Sequence, residues 1–368
     1  MSDKLIFTCM LAIAVVGAYL GIVGVSNVLG ASFDMGDLAP SLTSGSTGGS
    51  GGFLASAASV IGGASSHEAS RFLISFDALK NIHPALLQNQ GGVRVYDVDI
   101  YTHASPEILM VSTNRGLYYS DNTGLTWHVV NTSQGELTAD SVVLRVIPVD
   151  AHAYLVSVFQ NGVGSVYYTS DMFATMKRLV YFTDEGIYDM AVYGNTLYLG
   201  MSNGQLIQYD RTKETFKVIH TFPSPVVRLY DNGDGFFYAF LKSGALMQAA
   251  GPLGEFSKIT VGGTWFSSGS MKSVAFATSG DIYALGKNGV YKSENYGVTF
   301  TLIDNIPLLK KQIDALAVSG NTVYIISDGR LYVSTDVGGS WKLQDNIPLD
   351  FSVNQFYFLG EGRVILSE

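Results

Sequence analysis

Two acidic groupings have the spacing that hydrolytic chemistry would use, Asp184-Glu185 and Asp231 with Asp234. Glycoside hydrolysis needs two carboxylates about 5–10 Å apart across a cleft, one to protonate the leaving oxygen and one to act as base or nucleophile. Both groupings sit beside glycine, in Asp184-Glu185-Gly186 and Asp231-Asn232-Gly233-Asp234-Gly235, where acidic residues commonly tie turns. The second also lacks the later ligands of a calcium loop. A turn role is the stronger reading for both. The histidines at 67, 83, 103, 128, 152 and 220 have no ligand spacing, and Cys9 is the only cysteine, so no metal site or disulfide is expected. No nucleophile elbow, phosphate loop or zinc signature is present. The sequence therefore assigns no catalytic residue and no cofactor. Its one candidate contact is aromatic. Trp265 and Phe266 lie on a Gly/Ser-rich connection, Val261 to Gly269, and suit an interface anchor, although packing between neighbouring elements is the somewhat simpler reading of Trp265.

The elements that would position such residues are set by an octapeptide that returns. Ser120-Asp121-Asn122-Thr123-Gly124-Leu125-Thr126-Trp127 recurs as Ser293-Glu294-Asn295-Tyr296-Gly297-Val298-Thr299-Phe300 and as Ser334-Thr335-Asp336-Val337-Gly338-Gly339-Ser340-Trp341. The Asp or Asn can bond its own backbone, the Gly takes a conformation few residues tolerate, and the aromatic opens the next strand. The pattern resembles the Asp-box, or bacterial neuraminidase repeat, of β-propellers.

Around it the chain repeats a four-strand unit, first as strands over 95–101, 108–112, 117–120 and 127–130. Tight-turn dipeptides follow at Asn161-Gly162, Asn203-Gly204, Ser243-Gly244, Asn288-Gly289, Asp328-Gly329 and Glu361-Gly362, at intervals of about 40 residues, the period of a propeller blade. Eroded boxes are read at Ser170-Asp171, Phe216 and Phe256. Residues 354–363 align without gaps on 321–330, which makes Ser367 the start of a seventh box and Glu361-Gly362 a second-to-third strand turn. Ser75-Phe76 before Asn81 matches Ser340-Trp341 before Asn346, so an N-terminal strand is expected to complete the last blade. The expected fold is all-β, a seven-bladed propeller over 67–368.

Ahead of it lie two other segments, 1–33 and 34–66. Leu5 to Leu29 is uncharged and nearly all apolar, and as a helix it would span about 38 Å against a hydrocarbon core of about 30 Å. A retained anchor is favoured over a cleaved signal, whose apolar core is usually shorter. Lys4 before it and Asp34 and Asp37 after it put the propeller outside the cytoplasm. Ala14, Gly17, Gly21 and Gly24 share one helical face, suited to packing against another membrane helix. Residues 34–66 read as a Gly/Ser-rich tether, interrupted by an apolar patch at 53–61.

A box-bearing seven-bladed propeller behind a membrane-directing N-terminus is most similar to the photosystem II stability and assembly factor family and its bacterial relatives. That resemblance implies a non-enzymatic, extracytoplasmic scaffold binding subunits of a membrane complex. The family's arginine-rich patch is not matched, because Arg71, Arg94, Arg115, Arg145, Arg178, Arg211, Arg228, Arg330 and Arg363 are dispersed along the chain. Sialidases resemble it in their boxes, which implies the alternative of a glycan-active or glycan-binding surface protein, but their Phe-Arg-Ile-Pro-like motif is missing. A formal charge of −9 without a basic stripe argues against a nucleic-acid partner. The expected partners are membrane-complex subunits, and the lipid bilayer through the N-terminal helix.

Overall fold

The computed structural model describes residues 69–75, 77, 82–91, 93–101, 107–150, 152–231, 235–259, 271–307, 313–327, 329–344, 355–358 and 364–367. The membrane-anchor, packing-face and tether expectations, and the Trp265-Phe266 anchor, fall outside these residues. Among those described, no helix is long and apolar enough to cross a membrane.

Both ends of the described chain meet in one sheet. β1 (Ala69–Ser75) and β2 (His83–Gly91) open the chain. Blade 1 follows as β3 (Val95–Tyr101), β4 (Ile108–Thr113), β5 (Gly116–Ser120) and β6 (His128–Val129). Blade 2 is β7 (Val142–Asp150), β8 (Ala153–Gln160), β9 (Val163–Thr169) and β10 (Lys177–Thr183). Blade 3 is β11 (Ile187–Tyr193), β12 (Thr196–Met201), β13 (Gln205–Asp210) and β14 (Thr215–Thr221). Blade 4 is β15 (Val226–Asp231), β16 (Phe237–Leu241), β17 (Leu246–Ala249) and β18 (Ser257–Lys258). Blade 5 is β19 (Ser273–Phe276), β20 (Ile282–Gly286), β21 (Gly289–Ser293) and β22 (Thr301–Leu302). Blade 6 is β23 (Ala315–Ser319), β24 (Thr322–Ser327), β25 (Arg330–Ser334) and β26 (Lys342–Gln344). Last come β27 (Gln355–Phe358) and β28 (Val364–Ser367). Six sheets thus consist of four consecutive antiparallel strands, and a further four-stranded sheet joins the ends in the order β2-β1-β28-β27.

The second strands are buried on both faces, as in β4 (Ile-Leu-Met-Val-Ser-Thr) and β16 (Phe-Tyr-Ala-Phe-Leu), so they read as apolar runs without alternation. Each sheet packs against the next through an apolar cluster. One joins Leu109 and Val111 of blade 1 to Ile74, Leu87, Tyr357 and Ile365 of the terminal sheet. Another joins Tyr324 and Leu331 of blade 6 to Leu73, Val364 and Leu366. The terminal sheet is therefore wedged between first and last blades, and the fold is a β-propeller closed by its own ends.

The closure differs from the sequence expectation in register. β27 and β28 are the first and second strands of the terminal sheet, and β1 and β2 supply the third and fourth. Glu361-Gly362 consequently falls between a first and a second strand, and Ser367 does not open a box. The gapless alignment with 321–330 misled because both hairpins are an apolar strand, a glycine turn and a second apolar strand. Ser75 is instead the serine that begins the octapeptide turn. Its Oγ donates to Asp77 Oδ1 at 2.9 Å, as Ser120 Oγ donates to Asn122 Oδ1 at 2.9 Å.

The three octapeptides fold alike. In the second, Ser293 Oγ accepts from the Gly297 amide at 2.8 Å and Asn295 Oδ1 accepts from the Thr299 amide at 2.9 Å. In the third, three hydrogen bonds hold Asp336, from the Ser340 hydroxyl and amide and from the Ser334 hydroxyl, and its carboxyl is pulled down to about 2. The glycine is needed twice over. Gly297 has φ of +87°, and a Cβ there would stand 2.6 Å from Ile259 Cδ1 of the preceding blade.

A fourth copy was missed by one residue. Thr169, not Ser170, takes the serine position, with Thr169 Oγ1 donating to Asp171 Oδ1 at 2.9 Å and the Thr175 amide donating to that oxygen at 2.9 Å. Phe173 stands where glycine should, at φ of +69°. Its buried ring stacks on Tyr154 at 5.0 Å, in the same cluster as Val130 and Leu137 of the preceding blade's end. Packing of that ring stabilises a backbone conformation that a side chain normally disfavours.

Candidate functional site: a charged layer on the propeller axis and an open seam at its rim

Hydrogen-bond registers place seven residues at one equivalent position on the first strands: Asp97, Arg145, Asp189, Arg228, Ser273, Ala315 and Gln355. In the first four blades a register shift precedes it, at Val95/Asp97, Val143/Arg145, Ile187/Asp189 and Val226/Arg228. A bulge adds one residue and re-aims the next. The added residues, Tyr96, Leu144, Tyr188 and Val227, belong to one shared apolar cluster. The residues after them form an alternating ionic layer.

Asp97 and Asp189 are 0% and 1% exposed. Arg145 Nη1 donates to Asp97 Oδ1 at 2.6 Å, and its Nε lies 2.9 Å from Asp189 Oδ1. Arg228 stands 3.6 Å from Asp97 and 3.8 Å from Asp189, and donates to the Tyr96 carbonyl at 3.0 Å. The Leu229 amide donates to Asp189 Oδ2 at 2.8 Å. Two carboxylates and two guanidiniums from four blades thus satisfy much of one another's charge. Burial raises the Asp97 carboxyl, against the pull of Arg145 and Arg228. Burial also works against the charge of Arg145, but Asp97, Asp189 and Asp99 outweigh it and hold the guanidinium above its ordinary range.

Asp99, two residues on along β3, completes the layer. Burial pushes it up to about 7, opposed by Arg145, reinforced by Asp97 and opposed again by the Ile100 amide, which donates to it at 2.7 Å. Its folded value exceeds its unfolded value, so between the ordinary carboxylate range and about 7 the folded state binds more protons. Stability should fall as pH rises from about 4 to about 7. Asp99→Asn should flatten that slope in chemical denaturation at stepped pH. An unchanged slope would place the titration elsewhere.

The sequence-picked acids are not part of this layer. Asp184 has φ of +61° and its amide donates to the Gly162 carbonyl at 2.7 Å, while Glu185 accepts from the Ser202 hydroxyl at 2.5 Å. Both are turn residues. Asp231 ends β15, and Asp234 lies outside the described residues. Among the described residues no group of His, Cys, Asp or Glu could hold a metal. Of the arginines read as dispersed, Arg145 and Arg228 converge. The missed signal was periodic: Asp97, Arg145, Asp189 and Arg228 recur at about the blade interval.

A second feature lies at the rim. The aromatic ending each octapeptide is buried at Trp127 and Phe300, and Trp341 packs against the cluster between blades 5 and 6. Phe256, in an eroded copy, packs edge-on to Phe222 at 5.0 Å. Phe216 keeps the register but is 55% exposed. It faces Phe182 of blade 2 at 5.2 Å, beside exposed Val218. No local residue pattern marks this copy as open.

No family model matches the chain, and no curated protein does. Solved structures match throughout the propeller. YCF48 bound to D1 peptide is 12% identical with a TM-score of 0.58, covering 79% of this chain and 97% of that one. YCF48 from Cyanidioschyzon merolae is 13% identical at 0.58, covering 74% and 94%. The extracellular domain of BT4673, a one-component system protein of B. thetaiotaomicron, is 15% identical at 0.52, covering 75% of this chain but 38% of that one. By its strand order, its closure and these likenesses, the chain is a β-propeller with the fold of YCF48 and of bacterial extracellular domains.

Proposed function

We propose that this protein is a non-enzymatic, membrane-anchored, extracytoplasmic propeller that binds subunits of a membrane protein complex, as a scaffold or accessory subunit. The observation that carries the reading is the axial layer. The acids that converge on the axis are buried and held by Arg145 and Arg228, so they serve the scaffold and offer no facing pair to a sugar. Support for a protein partner comes from the fold's likeness to a propeller whose structure holds a peptide. The apolar N-terminal segment supports the anchor and its orientation.

The test is copurification of the full-length protein in mild detergent. A defined set of integral membrane proteins should accompany it, and Gly21→Leu should weaken that association while Ile22→Leu leaves it intact. Absence of any membrane partner would sink the reading. Glycosidase activity lost in Asp97→Asn or Asp189→Asn would establish the glycan-active alternative.

A further inference from the structure

The outer strands of blades 2 and 3 differ from those of the other consecutive-strand blades. β10 and β14 are seven residues each, whereas β6, β18 and β22 have two and β26 has three. Each ends its sheet and pairs on one side only. A long, unpaired edge is a template for another strand, and proteins normally shorten or cover it.

The seam between these edges is apolar. Phe216 pairs with Tyr209 and Val218 with Ile207, which puts both on the blade 3 face turned toward blade 2. Phe182 meets them from β10, and the rings stand at 74°. One end of the seam is tied by Lys177 Nζ to Glu214 Oε1 at 2.6 Å. Tyr209 Oη donates across it to the Leu179 carbonyl at 2.9 Å. On the other face of β10, exposed Tyr181 carries the Arg178 guanidinium 4.5 Å above its ring.

Charge selects the occupant. From Asp210 at the end of β13 through β14, together with β10, the edges carry five cations, Lys177, Arg178, Arg211, Lys213 and Lys217, against two carboxylates, Asp210 and Glu214, which pair with Lys213 and Lys177. The whole chain has the opposite balance, with 22 Lys and Arg against 31 Asp and Glu. We infer that β14 and its seam with β10 dock an extended acidic segment of a partner protein by strand addition, its aliphatic side chains resting on Phe182, Phe216 and Val218 and its alternate carboxylates meeting Lys217 on the opposite face of β14. Main-chain hydrogen bonds would supply affinity and the alternating side chains specificity. This inference rests on the interaction-scaffold reading and gives it a location and a partner chemistry.

The test uses full-length protein in detergent micelles and two fluorescein-labelled decapeptides, alternating Glu-Val and alternating Lys-Val. The acidic peptide should bind saturably and the basic one should not. Phe216→Ala, at an exposed position that folding does not require, should weaken binding about tenfold. Lys217→Glu should remove the preference for the acidic peptide over the basic one. Methylating the acidic peptide's amides along one edge should abolish binding and along the other should not, which a purely electrostatic contact would not show. No saturable binding below about 1 mM, or binding indifferent to Phe216→Ala, overturns the inference. So does Phe216-dependent dimerisation, which would make the occupant a second copy, or Phe216-dependent binding to anionic vesicles. Wild-type copurification with membrane proteins that survives Phe216→Ala would move the docking site and leave the scaffold reading standing.

Discussion

Deletion of residues 67 to 80 should leave a chain that no longer melts cooperatively, whereas deletion of 38 to 52 should not change the melting temperature. The first removes β1, the strand through which β28 and β2 are joined, so both of its neighbours lose a partner. It also takes Leu73 and Ile74 out of the two clusters flanking the terminal sheet. Each buried side chain is worth about 1.5–3 kcal/mol, and the stranded Leu87 adds a third, against a total domain stability of about 5–15 kcal/mol. A milder version is Leu73→Ala, which should cost about 2–5 kcal/mol. Calorimetry of the three variants decides the matter. A 67–80 deletion that melts like wild type would refute closure by β1.

Arg145→Met should lower stability by about 3–5 kcal/mol, because it leaves Asp97 and Asp189 buried with only the more distant Arg228. For a domain of about 300 residues that is a fall in melting temperature of about 5–8 °C. Combining Arg145→Met and Arg228→Met with Asp97→Asn and Asp189→Asn removes the charges together. It should recover much of the loss, since a buried ionic cluster is often replaceable as a unit though not in part. The single variant should also regain stability as pH falls and the stranded Asp97 carboxyl, already raised by burial, takes up a proton. A fourfold variant no more stable than Arg145→Met would mean that the arginine acts through packing rather than charge.

The legible part of the fold was the part written in local chemistry. The strand expected over 95–101 is β3 residue for residue, and the three octapeptides are turns held by the side chains that mark them in sequence. Register at the closure was less legible, because the first-to-second and second-to-third hairpins are built alike and no local signal separates them. The Thr169 copy was placed one residue late, at Ser170-Asp171, because Phe173 occupies the glycine position that would have set its register. The axial layer is a product of the ring. Asp97, Arg145, Asp189 and Arg228 lie about a blade apart in sequence and become neighbours only when four bulged strands converge. Exposure at Phe216 depends on what blade 2 fails to place over it, which nothing near residue 216 encodes.

The order of synthesis turns the shared terminal sheet into a timing problem. β1 and β2 leave the ribosome first, and the strands that flank and complete their sheet, β27 and β28, are made last. At about 5–20 residues per second, the gap between β2 and β27 lasts on the order of tens of seconds. Throughout that interval Leu73, Ile74 and Leu87 have no native sheet to enter, and six finished blades can stack only as an open arc. Native closure therefore waits for β27 and β28, and until they emerge the buried faces of β1 and β2 have no second partner.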